Sequence, residues 1–285
     1  MSRTFARRRL LSAPRIGLAG LALAAILTTG AVAVGGRQAE CPASPVTAAA
    51  VVAPAVVPAA LAPVAPVAIA PAVAPAAELL DATLERLAAN APGLKRDVLR
   101  LALVARDAAA KEGLAKKDEL LTVIDYSLPS TAKRLWVFDV KSGDVLFNEL
   151  VAHGKNTGDN YARRFSNDDG SLETSLGLFR TASTYIGGNG YSLRLAGLEP
   201  GFNDKAERRS VVMHGAPYVS EDFAAAHGRL GRSWGCPALS QKIAPKVIDT
   251  IKGGSLVFSY FPDQDWLQHS KFVAPVAGTF AAGAR

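Results

Sequence analysis

The stretch RLWVFDVKSGDVLFNELVA, Arg134 to Ala152, decides the fold class. Two short runs, Arg134–Val140 and Asp144–Ala152, are rich in Val, Phe and Trp, residues that suit a pleated surface. Ser142-Gly143 between them makes a hairpin turn. Outward from this hairpin the pattern repeats. Leu120–Asp125 precedes it, and Leu178–Ser183, Tyr191–Leu195, Ser210–Met213 and Ser255–Phe261 follow, separated by loops rich in Gly, Asn and Asp. Within this region only Gln241–Lys252 reads as a helix, with Ile243, Val247, Ile248 and Ile251 on one face and Gly253-Gly254 ending it. Many short strands with polar turns predict a mainly β domain, a sandwich or barrel with one packed helix, over residues 118–265. That span is long enough for one good core.

Upstream the chain changes character three times. Residues 78–117 read as a helical hairpin. Leu79, Leu80, Thr83, Leu84 and Leu87 recur at helical spacing, Asn90–Gly93 breaks the run, and Leu94, Val98, Leu101, Leu103 and Val104 carry a second helix to about Lys111. This hairpin is expected to brace the β domain. Residues 42–77 form an Ala/Pro/Val-rich linker with eight prolines and no charge. Proline at that density forbids helix and ladder alike, so an extended, semi-stiff spacer is expected. Residues 1–41 read as an export signal or membrane anchor. A basic start is followed by Ile16–Val34, 19 residues without a charge, and Ala31-Val32-Ala33 suits a cleavage site. The run 16–34 is also long enough to span a bilayer, so anchoring stays open. The bulk of the chain is expected in the periplasm or cell envelope, held at the inner membrane if the signal stays uncleaved. Residues 266–285 read as a C-terminal tail.

The formal net charge of +7 and pI of about 9.5 invite a nucleic-acid reading. Five arginines and no acid lie in residues 1–33, and without them the charge falls to +2. The basicity therefore belongs mostly to the targeting segment, and no nucleic-acid partner is expected. There are two cysteines. A bridge between Cys41 and Cys236 would close a very long loop, so a free thiol at Cys236 is expected, with no role assigned to Cys41.

Cys236 lies in GRLGRSWGCPAL, Gly228 to Leu239, among three glycines. A structural cysteine favours apolar runs, whereas this one sits where backbone turns tightly and can approach a ligand. A thiol attacks acyl carbon well only as thiolate, so it needs a proton acceptor. Of the four histidines, His214 ends the run Ser210–Met213 and precedes a glycine, which suits a base reaching into a cleft. A satisfied structural histidine and an inert cysteine remain the alternative. Gly235 and Cys236 can offer backbone N–H groups to an oxyanion, and Arg232 can hold a carboxylate. His153, also at a strand end before a glycine, and the Ser166-Asn167 pair are candidates to line the cleft or to cap turns. No phosphate loop or clustered ligand set is present, so no cofactor and no metal are expected.

His214-Gly-Ala-Pro-Tyr218 followed by GRSWGCPAL resembles the signature of the L,D-transpeptidases, the YkuD-like superfamily. Val123–Ser127, Val151–Gly154, Phe165–Asn167, Ser175–Gly177 and Gly190–Leu193 extend the resemblance to the murein L,D-transpeptidase catalytic domain subfamily over residues 118–262. The resemblance implies a β-rich catalytic domain with Cys236 as nucleophile, His214 as base, and Gly235 with Cys236 as oxyanion donors. Ser233 would support the turn. Arg232, Ser233, Trp234, His153 and Tyr218 are the expected substrate-binding residues. The implied partner is a peptidoglycan stem peptide, acylated onto Cys236 with loss of terminal D-alanine. Two positions depart from the better-known members: Trp234 replaces their His, and Pro237-Ala238 stand where Arg or Asn follows. An L,D-carboxypeptidase on the same scaffold and a non-catalytic peptidoglycan-binding module are the alternatives. Sortases rely on an Arg after the Cys, which is missing before Arg285, and NlpC/P60-type peptidases place Cys before His.

Overall fold

The computed structural model describes residues 76–275. The export segment, Cys41 and nearly all of the linker lie outside the described residues, as does the end of the tail. The described chain runs α1 (Ala76–Asn90), α2 (Arg96–Lys111), β1 (Leu120–Asp125), β2 (Lys133–Asp139), β3 (Asp144–Leu150), β4 (Gly177–Gly187), β5 (Gly190–Gly197), β6 (Val212–Ala216), α3 (Glu221–His227), β7 (Ala238–Ser240), α4 (Ala244–Ile251), β8 (Leu256–Tyr260) and α5 (Gln264–His269). No described helix is long and apolar enough to cross a membrane.

The eight strands form one sheet in the order β3-β2-β1-β8-β4-β5-β6-β7. Neighbours are antiparallel except at β1·β8 and β6·β7. The sheet curls until its two edges meet. Just past β3, Ala152 pairs with Ala238 of β7, with N–H to O distances of 2.9 and 3.4 Å. A nearly closed, barrel-like sandwich results, as the β-rich sequence predicts.

Side-chain alternation explains why β1, β2 and β8 read as almost continuous apolar runs. Ile124, Leu135, Val137 and Val257 point into the barrel with Phe179, Leu193, Leu195 and Met213. Their neighbours Val123, Trp136, Phe138, Leu256 and Phe258 point outward against Leu84, Leu87, Leu99 and Leu103 of the helical hairpin. Strands covered on both faces lose the polar half of the alternation. The hairpin is pinned as well as packed: Arg86 donates to the carbonyls of Val140 and Lys141, and Asn90 to that of Gly143 at the β2–β3 turn. Helix α4, with Pro245 in its first turn, buries Val247, Ile248 and Ile251 against the barrel core.

The packed domain runs beyond the boundary expected at 265. Trp266 of α5, Phe272 and Val273 are buried in the outer cluster. They are tied down by Glu199, whose carboxylate accepts from the Leu178 N–H (2.6 Å), the Trp266 indole (3.0 Å) and the Ser270 hydroxyl (2.5 Å). Burial holds the Glu199 pKa above the usual carboxylate value, against the pull of these donors. Helices α3 and α5 are additions to the single helix expected in this domain.

Replacing Trp266 by Ala removes a fully buried indole and one of the donors to the Glu199 carboxylate. The expected cost is about 3–5 kcal/mol of unfolding free energy, measured by urea denaturation of the full chain. An unchanged midpoint would mean that residues beyond 265 are peripheral.

Candidate active site

The parallel pair β6·β7 sets the geometry. Its register places His214 opposite Ala238 and Gly215 opposite Leu239. Met213 and Leu239 face the barrel core, so His214 and Ala238 face away from it. Carrying the register back two residues brings Cys236 beside Val212, whose N–H lies 3.5 Å from the Cys236 Sγ. Thiol and imidazole are therefore carried on adjacent chain segments, Cys236 just before β7 and His214 on β6.

The turn that presents Cys236 is held from within and from both sides. The Ser233 hydroxyl accepts from the Gly235 N–H (3.1 Å) and donates to the Cys236 carbonyl (2.6 Å). The Ser233 backbone bonds the carbonyl of His153 (3.0 Å) and the N–H of Lys155 (2.8 Å). On the opposite flank the chain at Glu173 presses against Gly235. Gly235 has φ +119, and a Cβ there would lie 2.7 Å from the Glu173 carbonyl oxygen, so only glycine fits. Two non-glycine residues with positive φ occur among the described residues, Leu172 (58°) and Ser210 (55°), and both border this turn. The strained Ser210 directs its carbonyl at the thiol, with Sγ at 3.8 Å.

The resting charge states follow from burial. Desolvation raises the Cys236 pKa above its ordinary value, while the Val212 N–H and the positive charge of Arg209 pull it down. At neutral pH the thiol holds its proton and offers it to Ser210. Burial lowers the His214 pKa, so the ring is neutral. Its Nδ1 lies 3.0 Å from the Gly215 carbonyl, which assigns the proton to Nδ1 and leaves the Nε2 lone pair free. No hydrogen bond joins His214 to Cys236 among the described residues.

Several sequence-predicted site residues have other employment. Gly235 turns its N–H to Ser233, so it is not a free oxyanion donor; the Cys236 N–H has no partner among the described residues and is free. The Ser233 hydroxyl is bonded wholly within its turn. Arg232 does not await a carboxylate: its guanidinium binds the carbonyls of Lys155 and Gly158 and the Asp159 carboxylate (2.8 Å), stapling the neighbouring loop. His153 does not line a cleft. It is 1% exposed; its Nδ1 accepts from Arg134 (2.8 Å) and its Nε2 donates to Gly158 (3.2 Å). Ser166 and Asn167 cap turns, Asn167 bonding Asp204 and the Lys205 N–H. Tyr218 does stay at the site. Its ring lies on Gly231, where a Cβ would come within 2.4 Å, and burial with the nearby Cys236 pushes its phenol up to about 12. Trp234 is 79% exposed at the rim beside the thiol.

Sequence reasoning missed Arg209 and Ser210. An Arg-Arg-Ser run before a strand looks like a solvated loop. Its placement against Gly235 depends on contacts with residues 166–175 that carry no sequence signal.

His153 makes the site's support sensitive to acid. Burial, and secondly Arg134, lower its pKa from 6.5 to about 4. The unfolded chain therefore takes up a proton that the fold refuses between these values. The stabilisation is full above pH 6.5 and is lost as pH falls toward 4, at about 1.4 kcal/mol per pH unit and about 3 kcal/mol in all. Asp125 and Glu199, with raised pKa values, act in the opposite sense. The comparison with His153→Gln isolates the histidine: unfolding free energy at pH 5 relative to pH 7 should fall more in the native chain. Identical pH slopes would contradict the assignment.

A family model described as the L,D-transpeptidase catalytic domain matches residues 90–260. No curated protein matches. Solved structures resemble the chain at low identity. They include an L,D-transpeptidase from Mycobacterium smegmatis, at 18% identity over 50% of this chain and 59% of that one, with a TM-score of 0.32. Another is L,D-transpeptidase 1 from Mycobacterium tuberculosis, at 18% identity over 50% and 62%, with a TM-score of 0.29. A third is the helical cell shape determining protein Pgp2 from Campylobacter jejuni, at 15% identity over 60% and 59%, with a TM-score of 0.34. The chain spans about six tenths of the length of these structures. The family match covers more than half of the sequence, and the chain belongs to the L,D-transpeptidase catalytic domain family.

Proposed function

We propose that the protein is an exported L,D-transpeptidase that acylates Cys236 with a peptidoglycan stem peptide. The observation that supports the reading is the β6·β7 pairing, which brings the turn bearing Cys236 beside the strand that carries His214, with Sγ 3.5 Å from the Val212 N–H. Membership of the family adds the reaction class.

In this reading His214 Nε2 takes the thiol proton as Sγ leaves the Ser210 carbonyl. The thiolate attacks the carbonyl carbon of the third stem residue, forming a C–S bond. The free Cys236 N–H faces the negative charge that develops on the carbonyl oxygen. The C–N bond to the terminal D-alanine breaks, and the imidazolium returns the proton to the departing amine. An acceptor amine of a second stem then attacks the thioester, His214 takes the amine's proton, and the thiol is restored. Tyr218, a neutral phenol beside Cys236, lines the donor side. Trp234 offers the acceptor strand an exposed, uncharged ring. The N-terminal apolar run delivers the domain to the envelope, and the proline-rich spacer holds it off the membrane.

The purified chain incubated with tetrapeptide-stem muropeptides, followed by mass spectrometry of the products, tests this. Loss of terminal D-alanine with a cross-linked dimer is expected, and Cys236→Ala should abolish both, by more than about a thousandfold. Loss of D-alanine with no dimer would make the protein an L,D-carboxypeptidase. Retention of unaltered muropeptide on the protein would make it a binding module.

A further inference from the structure

Arg209, on the loop before β6, touches the turn that carries Cys236. Its Nη1 donates to the Ser166 carbonyl and the Ser175 hydroxyl, both at 2.6 Å. Its Nη2 donates to the Ser171 hydroxyl (3.0 Å) and the Glu173 carbonyl (2.7 Å). The same Nη2 lies 3.5 Å from the point where a Cβ on Gly235 would stand. All four acceptors are uncharged. The three carboxylates in the neighbourhood have cations of their own: Asp168 meets Lys205 (3.3 Å), Asp169 meets Arg208 (2.7 Å) and Glu173 meets Arg164 (3.6 Å). No carboxylate contacts Arg209 among the described residues. A guanidinium is the fork best suited to four such acceptors, but uncharged donors could also tie this loop. What the arrangement adds is a half-buried positive charge, fixed in place and not neutralised by contact, one residue from the thiol.

The chain that follows Arg209 continues the contact. Ser210, in its strained conformation, turns its carbonyl to Sγ, and Val212 turns its N–H to the same atom. One strip thus supplies an acceptor for the thiol and two positive groups for the thiolate. The other titratable groups near Cys236 are His214 on β6, Tyr218 after β6 and Tyr126 after β1, and all three are neutral at pH 7.

We propose that Arg209 is a positioning residue that holds a fixed positive charge against the Cys236 thiolate as it forms, and so sets how readily the nucleophile is generated. The proposal rests on the reading of Cys236 as nucleophile, and its test does not need the substrate.

Iodoacetamide alkylation of Cys236 in the full chain, read on the Cys236-bearing proteolytic peptide so that Cys41 does not contribute, gives a rate against pH. Arg209→Gln should move the midpoint upward and slow alkylation at pH 7 about tenfold. Arg209→Lys, which keeps the charge, should restore most of the rate. Ser171→Asp places a carboxylate against Nη2 and should also raise the midpoint, whereas Ser171→Ala, which only loosens the loop, should not. If Arg209→Gln does not fold, the Ser171 pair decides alone. An unchanged midpoint in Arg209→Gln or Ser171→Asp, or an equal shift in Ser171→Ala, would overturn the proposal. Muropeptide turnover of the same variants separates the two ideas. A shifted thiol profile in a chain that never consumes muropeptide would uphold the role of Arg209 and reject the proposed function.

Discussion

The pairing of Ala152 with Ala238 is the constraint on which the site depends. Strand β7 has three residues, too few to hold itself at the edge of a sheet. It is ordered because β6 binds one side and the chain beyond β3 binds the other. The same closure continues upstream, where Ser233 is tied to His153 and Lys155. Gly235 and Cys236 are therefore suspended between two fixed points four or five residues apart. Backbone closure, rather than any direct bond between Cys236 and His214, brings the thiol-bearing turn beside β6.

Two cations support this arrangement, and neither has a carboxylate in contact among the described residues. Arg134, fully buried, donates to the carbonyls of Leu128 and Val151 and to His153, and lies over the Tyr126 ring at 5.0 Å. It fixes the last residues of the β3 extension from below. Arg209 fixes the 166–175 loop against Gly235 from the side. Carbonyl oxygens can solvate a guanidinium without cancelling its charge. Arg134 thus adds to burial in keeping His153 neutral, and Arg209 favours thiolate. Burial works against the thiolate and keeps it rare until a substrate calls for it. A thiol that is protonated at rest is also less readily oxidised.

Much of the fold was legible because both faces of the central strands are buried. Leu120–Asp125 was read to the residue, and the other six strands that were read have observed ends within a few residues of those expected. Strand β7 was not legible: Ala-Leu-Ser has no β character of its own, and its conformation comes from partners 24 and 86 residues away. Residues beyond 265 look like a polar tail, and it is the packing of Trp266 on Phe258 and Tyr260, with the bonds of Trp266 and Ser270 to Glu199, that makes them part of the core. The site divides along the same line. Cys236 and His214 were singled out from local context, and Tyr218 only through the family resemblance. His153 and His214 both stand before a glycine near a strand end, and only the contact with Arg134 tells the structural one from the other. Arg232 was read as a carboxylate binder and Arg209 was passed over for the same reason: which arginine meets Asp159 and which meets Gly235 is settled by tertiary contacts alone.

The central claim is that Cys236 becomes covalently acylated. Acid quenching of the full chain during incubation with a tetrapeptide-stem muropeptide, followed by proteolysis and peptide mass mapping, tests it most directly. The account predicts that the Cys236-bearing peptide gains the mass of the substrate minus D-alanine, as an adduct released by hydroxylamine. Consumption of the muropeptide with that peptide unmodified at every quench time, and an adduct on another residue, would contradict it.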